Sequence, residues 1–282
     1  MKHFLLSVLL FAVGLVSTAC SSVQPHDDDT IYVSILPLKG LLRELVGDDF
    51  PIKVLVPPGA NPETFELSAR QLSDLHRTDA IFNIGLIPFE QTLLADLGDR
   101  TVNLSAGIDL LEGSCREHEH HGAHGIDPHI WTSPRALKKM AQTAYDHIHK
   151  AHPDSMKYTA NYRRLDQKID ELDAYVAEQI KASNTRYFII YHPALTYYAN
   201  DYGIEQTAIE ADGKEPSAKH IARLIDCARK DGITRVLCQR QFPRTAVEII
   251  ARDIRAEVIM VDPLAEDVLL NIKQITDQIT AQ

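Results

Sequence analysis

Four side chains in the sequence are of the types that bind a transition metal ion: Glu63, His129, His192 and Asp262. Imidazole nitrogens and carboxylate oxygens suit zinc, manganese and ferrous iron, whereas the absence of sulfur from the set argues against copper(I). Two carboxylates would also neutralise a divalent ion bound by neutral imidazoles, which lowers the free-energy cost of burying that ion. The set therefore predicts a site for a divalent transition metal.

The positions of two of these residues favour a shared site. His192 directly follows a predicted strand, Tyr187–Tyr191, and Asp262 directly follows another, Glu257–Val261. Ligands of doubly wound α/β proteins gather at the carboxyl ends of strands. Taken singly, His192 could be a buried histidine at a strand end and Asp262 could cap a helix, so the prediction rests on the whole set.

The other two candidates lie in proline-containing loops. Glu63 ends the segment Pro-Pro-Gly-Ala-Asn-Pro-Glu at residues 57–63, after a predicted strand over Ile52–Val56. His129 is flanked by Pro128 and an apolar pair, which favours a fixed position over a flexible one. Glu63 alone could be a solvated loop acid. Two candidates precede the middle of the chain and two follow it, so the site would lie between its halves.

A second group of histidines lies in the segment 117–125, among glycines and acids: His118, His120, His121 and His124. Such a composition cannot build a core and is typical of a metal-collecting loop. A high-affinity site is not expected there, since a flexible tract must be ordered to bind. The alternative is an ordinary polar surface loop.

Short β-branched strands alternate with amphipathic segments on both sides of a long helical stretch. The predicted strands are Ile31–Leu36, Ile52–Val56, Ala80–Ile84, Thr101–Leu104, Tyr187–Tyr191, Ile204–Ile209, Thr234–Cys238 and Glu257–Val261. The amphipathic segments predict helices, among them one over Phe89–Leu97 and a last one over Leu264–Thr280. This alternation predicts an α/β fold of two lobes, each with a four-stranded, mostly parallel sheet. We expect an N-terminal lobe over 31–152, a linking helix over 153–183 and a C-terminal lobe over 184–282.

The linking helix has one apolar stripe. Its apolar residues recur at steps of three and four from Tyr158 to Ile180, so it should lie along a surface. About 30 residues at 1.5 Å each span roughly 45 Å, enough to bridge two lobes. A coiled-coil dimer helix is the alternative, but four heptads inside an α/β chain make it the poorer interpretation.

The first 30 residues have the features of an export signal. Lys2 precedes an apolar run, Phe4–Val16, that is too short to span a bilayer, and small residues then lead to Cys20. This pattern predicts a lipoprotein signal peptide over 1–19, a lipidated Cys20 and a polar tether over 20–30. An ordinary secretory signal with an incidental cysteine is the alternative.

Charge and cysteine content limit the partners. The formal net charge of −10 argues against nucleic acid as a partner and is mildly favourable for cations. Three further cysteines, Cys115, Cys227 and Cys238, allow at most one disulfide within the chain, and the pairing stays open. No Cys-x-x-Cys spacing indicates a thiolate zinc site.

Five ordered segments resemble the signatures of a known family. They are 57–63, 127–131 (Asp-Pro-His-Ile-Trp), 191–193 (Tyr-His-Pro), 213–217 (Gly-Lys-Glu-Pro-Ser) and 261–264 (Val-Asp-Pro-Leu). Together they are similar to the zinc- and manganese-specific solute-binding proteins of ABC importers, the ZnuA/TroA-like family. The resemblance covers the chain from about Thr30.

The resemblance implies a receptor with a rigid helical backbone that holds a metal ion between its lobes. It implies ligands at Glu63, His129, His192 and Asp262, and it places the histidine-rich loop in the zinc branch of the family. It further implies delivery of the metal to an ABC transporter permease from the periplasm or cell surface. We expect a monomer whose lipid anchor supplies its membrane contact.

One departure from the family pattern affects the choice of metal. The family usually has a histidine where this chain has Glu63, and the exchange of a nitrogen for a hard oxygen narrows the advantage of Zn²⁺ over Mn²⁺ or Fe²⁺. Zn²⁺ stays the first expectation because of the histidine-rich loop.

Four other functions compete with zinc delivery. An Mn²⁺ or Fe²⁺ receptor of the same family, a metal-dependent adhesin and a periplasmic metal buffer without a transporter all fit the same residues. A zinc hydrolase is the poorest fit, because four protein ligands would close the shell and no His-Glu-x-x-His is present.

Overall fold

Each half of the chain contains a four-stranded sheet in which all neighbouring strands are parallel. The computed structural model describes residues 30–78, 80–113, 125–210 and 216–281. Its strands are β1 Ile31–Val33, β2 Ile52–Val54, β3 Ala80–Asn83, β4 Thr101–Asn103, β5 Tyr187–Ile190, β6 Glu205–Ala208, β7 Arg235–Gln239 and β8 Glu257–Val261. The sheet orders, β2-β1-β3-β4 and β6-β5-β7-β8, are equivalent. The predicted two-lobed α/β fold is confirmed, and within the described residues both sheets are wholly rather than mostly parallel.

Eight α-helices cover these sheets and connect them in the described part of the chain. They are α1 Leu36–Val46, α2 Ala69–Leu75, α3 Pro134–Ala151, α4 Met156–Ser183, α5 Thr196–Tyr202, α6 Ala218–Lys230, α7 Thr245–Ile254 and α8 Val268–Thr280. None of the helices formed by the described residues is both long and apolar enough to cross a membrane.

The long helix α4 contacts both halves of the molecule. It begins at Met156 rather than at Pro153, because Ser155 caps it by accepting a hydrogen bond from the backbone N–H of Tyr158. Its buried stripe runs from Tyr158 to Ile180, as the spacing predicted. It packs against α1 and α3 of the N-terminal half and against α8 of the C-terminal half. A helix of 28 residues spans about 42 Å, so it reaches along both lobes.

The two lobes share one hydrophobic core. Apolar side chains of β1, β3 and α1 are continuous with those of α3, α4 and α8, and they reach Phe188 and Ile190 of β5. A second, smaller core lies between the C-terminal sheet and α6 and α7. A wide opening of the lobes would expose the shared core to water, so this arrangement restricts them to small relative movements.

One predicted helix has a different form. The segment predicted as a helix over Phe89–Leu97 forms a π-helical turn over Glu90–Leu94 and a 3₁₀ segment over Ala95–Arg100. The carboxylate of Glu90 turns back to accept hydrogen bonds from the backbone N–H groups of Ile84 and Ile87. Gly98 has a φ of 58°, which no ordinary helix allows. The prediction of a regular helix over this segment is therefore wrong.

The last helix also starts later than the apolar pattern predicted. α8 begins at Val268 rather than at Leu264, because the backbone N–H of Leu264 donates to the Asp262 side chain. Asp267 then caps α8 by accepting a hydrogen bond from the N–H of Leu270. The residues from Asp262 to Asp267 therefore form a connecting segment between β8 and α8.

Candidate metal centre

Three of the four predicted ligands come together between the lobes. Nε2 of His129 and Nε2 of His192 lie 3.3 Å apart, and Oε1 of Glu63 lies 3.6 Å from Nε2 of His192. Each of the three offers a ligand atom within 4.8 Å of the other two. Two nitrogens bound tetrahedrally to zinc at about 2.0–2.1 Å stand about 3.3 Å apart. The spacing of the two imidazoles therefore suits one shared metal ion.

His192 is held at the end of β5 by the neighbouring strand. Its backbone N–H donates to Oε1 of Gln239 at 3.2 Å, and its carbonyl accepts from Nε2 of the same residue at 2.6 Å. Gln239 is the last residue of β7, which pairs with β5 in parallel. A single buried amide thus fixes both backbone polar groups of His192.

His129 is held by a tight turn at the entrance to α3. Its backbone N–H donates to Oδ1 of Asp127 at 2.7 Å, and its carbonyl accepts from the Oγ1 of Thr132 at 2.8 Å. Pro128 restricts the backbone between these contacts. The turn explains why a residue outside regular structure can be fixed firmly enough to ligate.

Glu63 forms the outer edge of the site. It lies in a 3₁₀ turn over Pro62–Thr64, where the Asn61 side chain accepts a hydrogen bond from its N–H at 3.0 Å. Its side chain is 33% exposed, whereas those of His129 and His192 are 10% and 9% exposed. An ion from solvent would therefore meet the carboxylate before the imidazoles.

Each imidazole is backed by a buried carboxylate of its own lobe. Nδ1 of His129 lies 2.9 Å from Oδ1 of Asp127, and Nδ1 of His192 lies 2.6 Å from Oε1 of Glu210. A proton on Nδ1 that is donated to the carboxylate leaves the Nε2 lone pair free for a metal. Both rings are therefore oriented in the way that carboxylate–histidine–metal triads require.

Neighbouring carboxylates raise the pKa of His129. Burial lowers the pKa of His129, but the carboxylate of Asp127, with further contributions from Glu63 and Glu210, outweighs burial and raises the pKa above its usual value. Burial in turn raises the pKa of Asp127, yet the adjacent His129 outweighs that effect and holds it below its usual value. Asp127 therefore stays ionised as the partner of His129.

The space between the three candidate ligands is small and has apolar walls. A cavity of about 30 Å³ is bounded by Glu63, His129 and His192 and by Ile87, Trp131, Phe242 and Pro263. The Phe242 ring stacks on His192 at a centroid distance of 4.9 Å, and Trp131 lies 5.0 Å from the His129 ring. A volume of this size holds about one or two water-sized species, so the site suits an ion rather than an organic solute.

Asp262 lies outside the group of three. Its Oδ1 accepts hydrogen bonds from Nε2 of Gln241 and from the backbone N–H of Leu264, each at 3.1 Å. Gln241 and Leu264 line the cavity themselves, so Asp262 stands directly behind its wall. Its role as a fourth ligand stays a prediction.

The site contains residues that sequence reasoning did not single out. Glu210 and Gln239 were missed as partners of His192, and Asp127 was recognised only as part of a motif. Glu210 stands two residues after the last residue of β6, as His192 does after β5. Applying the strand-end rule to every strand would therefore have identified Glu210.

The histidine-rich loop and the predicted lipidation site lie outside the described residues. The loop histidines, His118, His120, His121 and His124, are therefore not described. Cys20, Cys115 and the predicted signal peptide also lie outside the described residues. The two ends of the loop are joined by a short antiparallel contact, in which the N–H of Gly113 donates to the carbonyl of Gly125 at 3.1 Å.

Two of the cysteines lie in the described residues. Cys227 is an exposed free thiol and Cys238 is a buried free thiol.

Comparison with known families places this geometry in context. Residues 31–280 match the model of the family described as "Zinc-uptake complex component A periplasmic" (ZnuA). The chain belongs to this family. As a ZnuA family member it is a metal-binding solute receptor.

Individual relatives resemble this chain over nine tenths of its length or more. A crystal structure of ZnuA superimposes with a TM-score of 0.81 at 33% sequence identity, covering 90% of this chain and 98% of that one. The high-affinity zinc uptake system protein ZnuA of Bacillus subtilis is 26% identical over 271 residues, covering 91% of this chain and 85% of that protein. A relative from Chlamydia trachomatis serovar D is 28% identical over 271 residues, covering 95% and 96%.

Proposed function

We propose that this chain captures one divalent transition metal ion, first of all Zn²⁺, and delivers it to the permease of an ABC importer. Glu63, His129 and His192 bind the ion, and Asp262 is the fourth ligand. The observation that carries the proposal is the 3.3 Å approach of two imidazole nitrogens from opposite lobes. Each of these rings has its other nitrogen held by a carboxylate.

Zinc is the first choice of cargo because of the family and the histidine-rich loop. The family description names zinc uptake, and the similar Bacillus subtilis protein is named as a high-affinity zinc uptake component. The loop collects zinc and passes it inward, a role supported by its attachment two residues before Asp127. The fixed high-affinity site is the one between the lobes.

An Mn²⁺ or Fe²⁺ receptor is the second candidate, and the position of Glu63 favours it. Its carboxylate lies in the ligand group, where it supplies a hard oxygen that manganese and iron accept as readily as zinc does. The site would then select its metal by geometry and availability rather than by the softness of its ligands.

Release of the metal uses small movements. The lobes share one core and are joined by α4, so a wide hinge motion would cost buried apolar surface. Tilts and loop shifts that move Glu63 or the Asp262 segment away from the histidines are sufficient to open the site.

Location and attachment follow from the N-terminus. The signal peptide over 1–19 directs export, Cys20 carries the lipid, and residues 20–30 tether a monomeric receptor to a membrane surface. The receptor stands in the periplasm or at the cell surface, where a permease can be reached. The family description of a periplasmic component supports this placement.

Reconstituted uptake tests the delivery step. Liposomes containing the importer of the same organism are supplied with zinc-loaded chain, and the zinc that enters is measured with and without ATP. Uptake should require the wild-type chain and fail with His192→Ala. His76→Ala, at an exposed histidine outside the site, should behave as wild type.

The same assay separates the remaining functions. Tight zinc binding without uptake or permease binding would contradict delivery and favour a metal buffer or a metal-dependent adhesin. Zinc-dependent hydrolysis of a substrate would contradict the assignment as a receptor.

A further inference from the structure

Gly40 is a glycine in the interior of a helix, where its conformational freedom is not used. It lies in α1 of the N-terminal lobe, and alanine would be the more stable residue for a helical backbone. A Cβ atom at this position would lie 1.8 Å from the carbonyl oxygen and 2.9 Å from the carbonyl carbon of Glu266. Glu266 belongs to the segment between β8 and α8 of the other lobe. The absence of a side chain thus allows two backbones from different lobes to touch.

Two basic side chains of α1 form ion pairs with the carboxylate of Glu266. Nζ of Lys39 lies 3.1 Å from Oε2 of Glu266, and Nη1 of Arg43 lies 3.1 Å from its Oε1. These side chains are 22%, 52% and 34% exposed for Lys39, Arg43 and Glu266. Ion pairs that remain accessible to solvent contribute little each, so they align Glu266 while the backbone contact sets its distance from α1.

Glu266 is connected to the metal cavity through a short hydrogen-bonded segment. The carbonyl of Asp262 accepts from the N–H of Ala265 at 3.0 Å, and the Asp262 side chain accepts from the N–H of Leu264. Nε1 of Trp131 donates to the carbonyl of Pro263 at 2.9 Å. A segment tied in this way transmits a displacement of one end to the other.

The near end of that segment forms one wall of the cavity. Pro263 and Leu264 line the space between the ligands, and Asp262 lies directly behind them. Because the ion has little room, a small shift of this wall changes how tightly the site closes over it.

We propose that the contact between Gly40 and Glu266 positions the segment 262–267 over the metal site and thereby slows release of the ion. This inference rests on the proposed metal-binding function. Gly40 is a positioning residue, since it touches no ligand and acts through Asp262 and its neighbours. A larger residue at position 40 pushes Glu266 outward and draws Asp262 away from the ion.

The dissociation rate of zinc tests the proposal directly. Zinc-loaded Gly40→Ala is mixed with excess chelator, and the release rate is compared with that of the wild type, alongside the unfolding transition of the metal-free proteins. We expect release to be about fivefold faster or more, within the range of measured couplings between sites. A wild-type release rate in a folded Gly40→Ala protein would overturn the proposal.

A second variant tests the role of the contact if alanine at position 40 prevents folding. Glu266→Ala removes the side chain that Lys39 and Arg43 hold, and should release zinc about two- to threefold faster. Glu257→Ala, at an exposed acid of the same lobe, is the matched control and should leave the rate unchanged. Equal rates for Glu266→Ala, Glu257→Ala and wild type would overturn the proposal.

A double-mutant cycle tests the route of the effect. In an Asp262→Ala background, Gly40→Ala should change the release rate less than about twofold, since the group that it positions is gone. An undiminished effect in that background would show that Gly40 does not act through Asp262.

Two outcomes distinguish the metal-binding function from the role of the contact between Gly40 and Glu266. A wild-type chain that binds no zinc refutes the proposed function. A wild-type chain that binds zinc tightly and loses it at the same rate as Gly40→Ala refutes only the role of the contact.

Discussion

Oε1 of Glu210 lies 2.6 Å from Nδ1 of His192, and both side chains are buried. This contact fixes the tautomer that leaves Nε2 free and orients the ring toward His129. We expect Glu210→Gln to lower metal affinity by about 10- to 100-fold, the usual effect of losing such a partner. Competition with a chelator of known affinity measures the change. Glu178→Gln, on the exposed face of α4, should keep the wild-type affinity, and an equal affinity for Glu210→Gln would contradict the role assigned to Glu210.

The second prediction concerns Glu63 and the choice of metal. Glu63→His supplies a nitrogen in place of an oxygen, which should shift the ratio of zinc to manganese affinity toward zinc, on the order of tenfold. The ratio is measured by titrating each metal against the other in wild type and variant. Glu66→His, at a neighbouring position outside the ligand group, is the control. An unchanged ratio would mean that Glu63 does not bind the metal.

The third prediction concerns Asp262, whose carboxylate accepts a hydrogen bond from Gln241. To ligate the ion, Asp262 must give up this contact. Asp262→Ala should therefore weaken zinc binding by about tenfold or more, in line with the loss of a ligand or its close support. Gln241→Ala, which frees Asp262, should bind zinc at least as tightly as wild type. Wild-type affinity in Asp262→Ala would restrict the protein ligands to the three that converge in the structure.

The fourth prediction is a pH dependence with opposite signs for the loaded and the metal-free protein. Because the pKa of His129 is raised, protons compete with the metal beginning above the ordinary histidine value of about 6.5. Below the raised pKa, affinity should fall by about tenfold per pH unit. The protonated His129 paired with Asp127 stabilises the metal-free fold below about pH 6.5, and this contribution is lost as the pH rises through the raised pKa.

Thermal unfolding with and without zinc checks both signs at once. The increase in Tm that zinc produces should grow from about pH 5.5 to about pH 8, because affinity rises while the stability of the metal-free protein falls. An increase that is independent of pH would contradict the placement of His129 at the metal. His76→Ala should show the same pH dependence as the wild type.

The sequence was sufficient for the fold and for the approach of three of the four candidate ligands, Glu63, His129 and His192. The parallel sheets follow from the alternation of strands and helices, and the rule that ligands gather at strand ends brought His192 to the site. It was not sufficient for the segment after β3, where the buried carboxylate of Glu90 accepts hydrogen bonds from the backbone N–H groups of Ile84 and Ile87 and a π-helical turn follows. Such a contact depends on tertiary burial, which periodicity does not record.

Contacts between distant parts of the chain were the hardest to predict. The pairing of Glu210 with His192 joins residues 18 apart, and the contact of Gly40 with Glu266 joins opposite lobes. The local pattern around Gly40 predicts a helix and gives no reason for a glycine there. The reason appears only when α1 and the 262–267 segment are brought together.

A zinc titration of the chain lacking residues 117–125, alone and with His129→Ala or His192→Ala, tests the central claim most directly. Removal of the loop should leave one tight site per chain, because the fixed ligands lie between the lobes. Either histidine substitution in that background should weaken the site by about 100-fold or more, which exceeds the cost of losing a supporting residue. Loss of tight binding on loop deletion alone, or its survival in both histidine variants, would contradict a metal site formed by Glu63, His129 and His192.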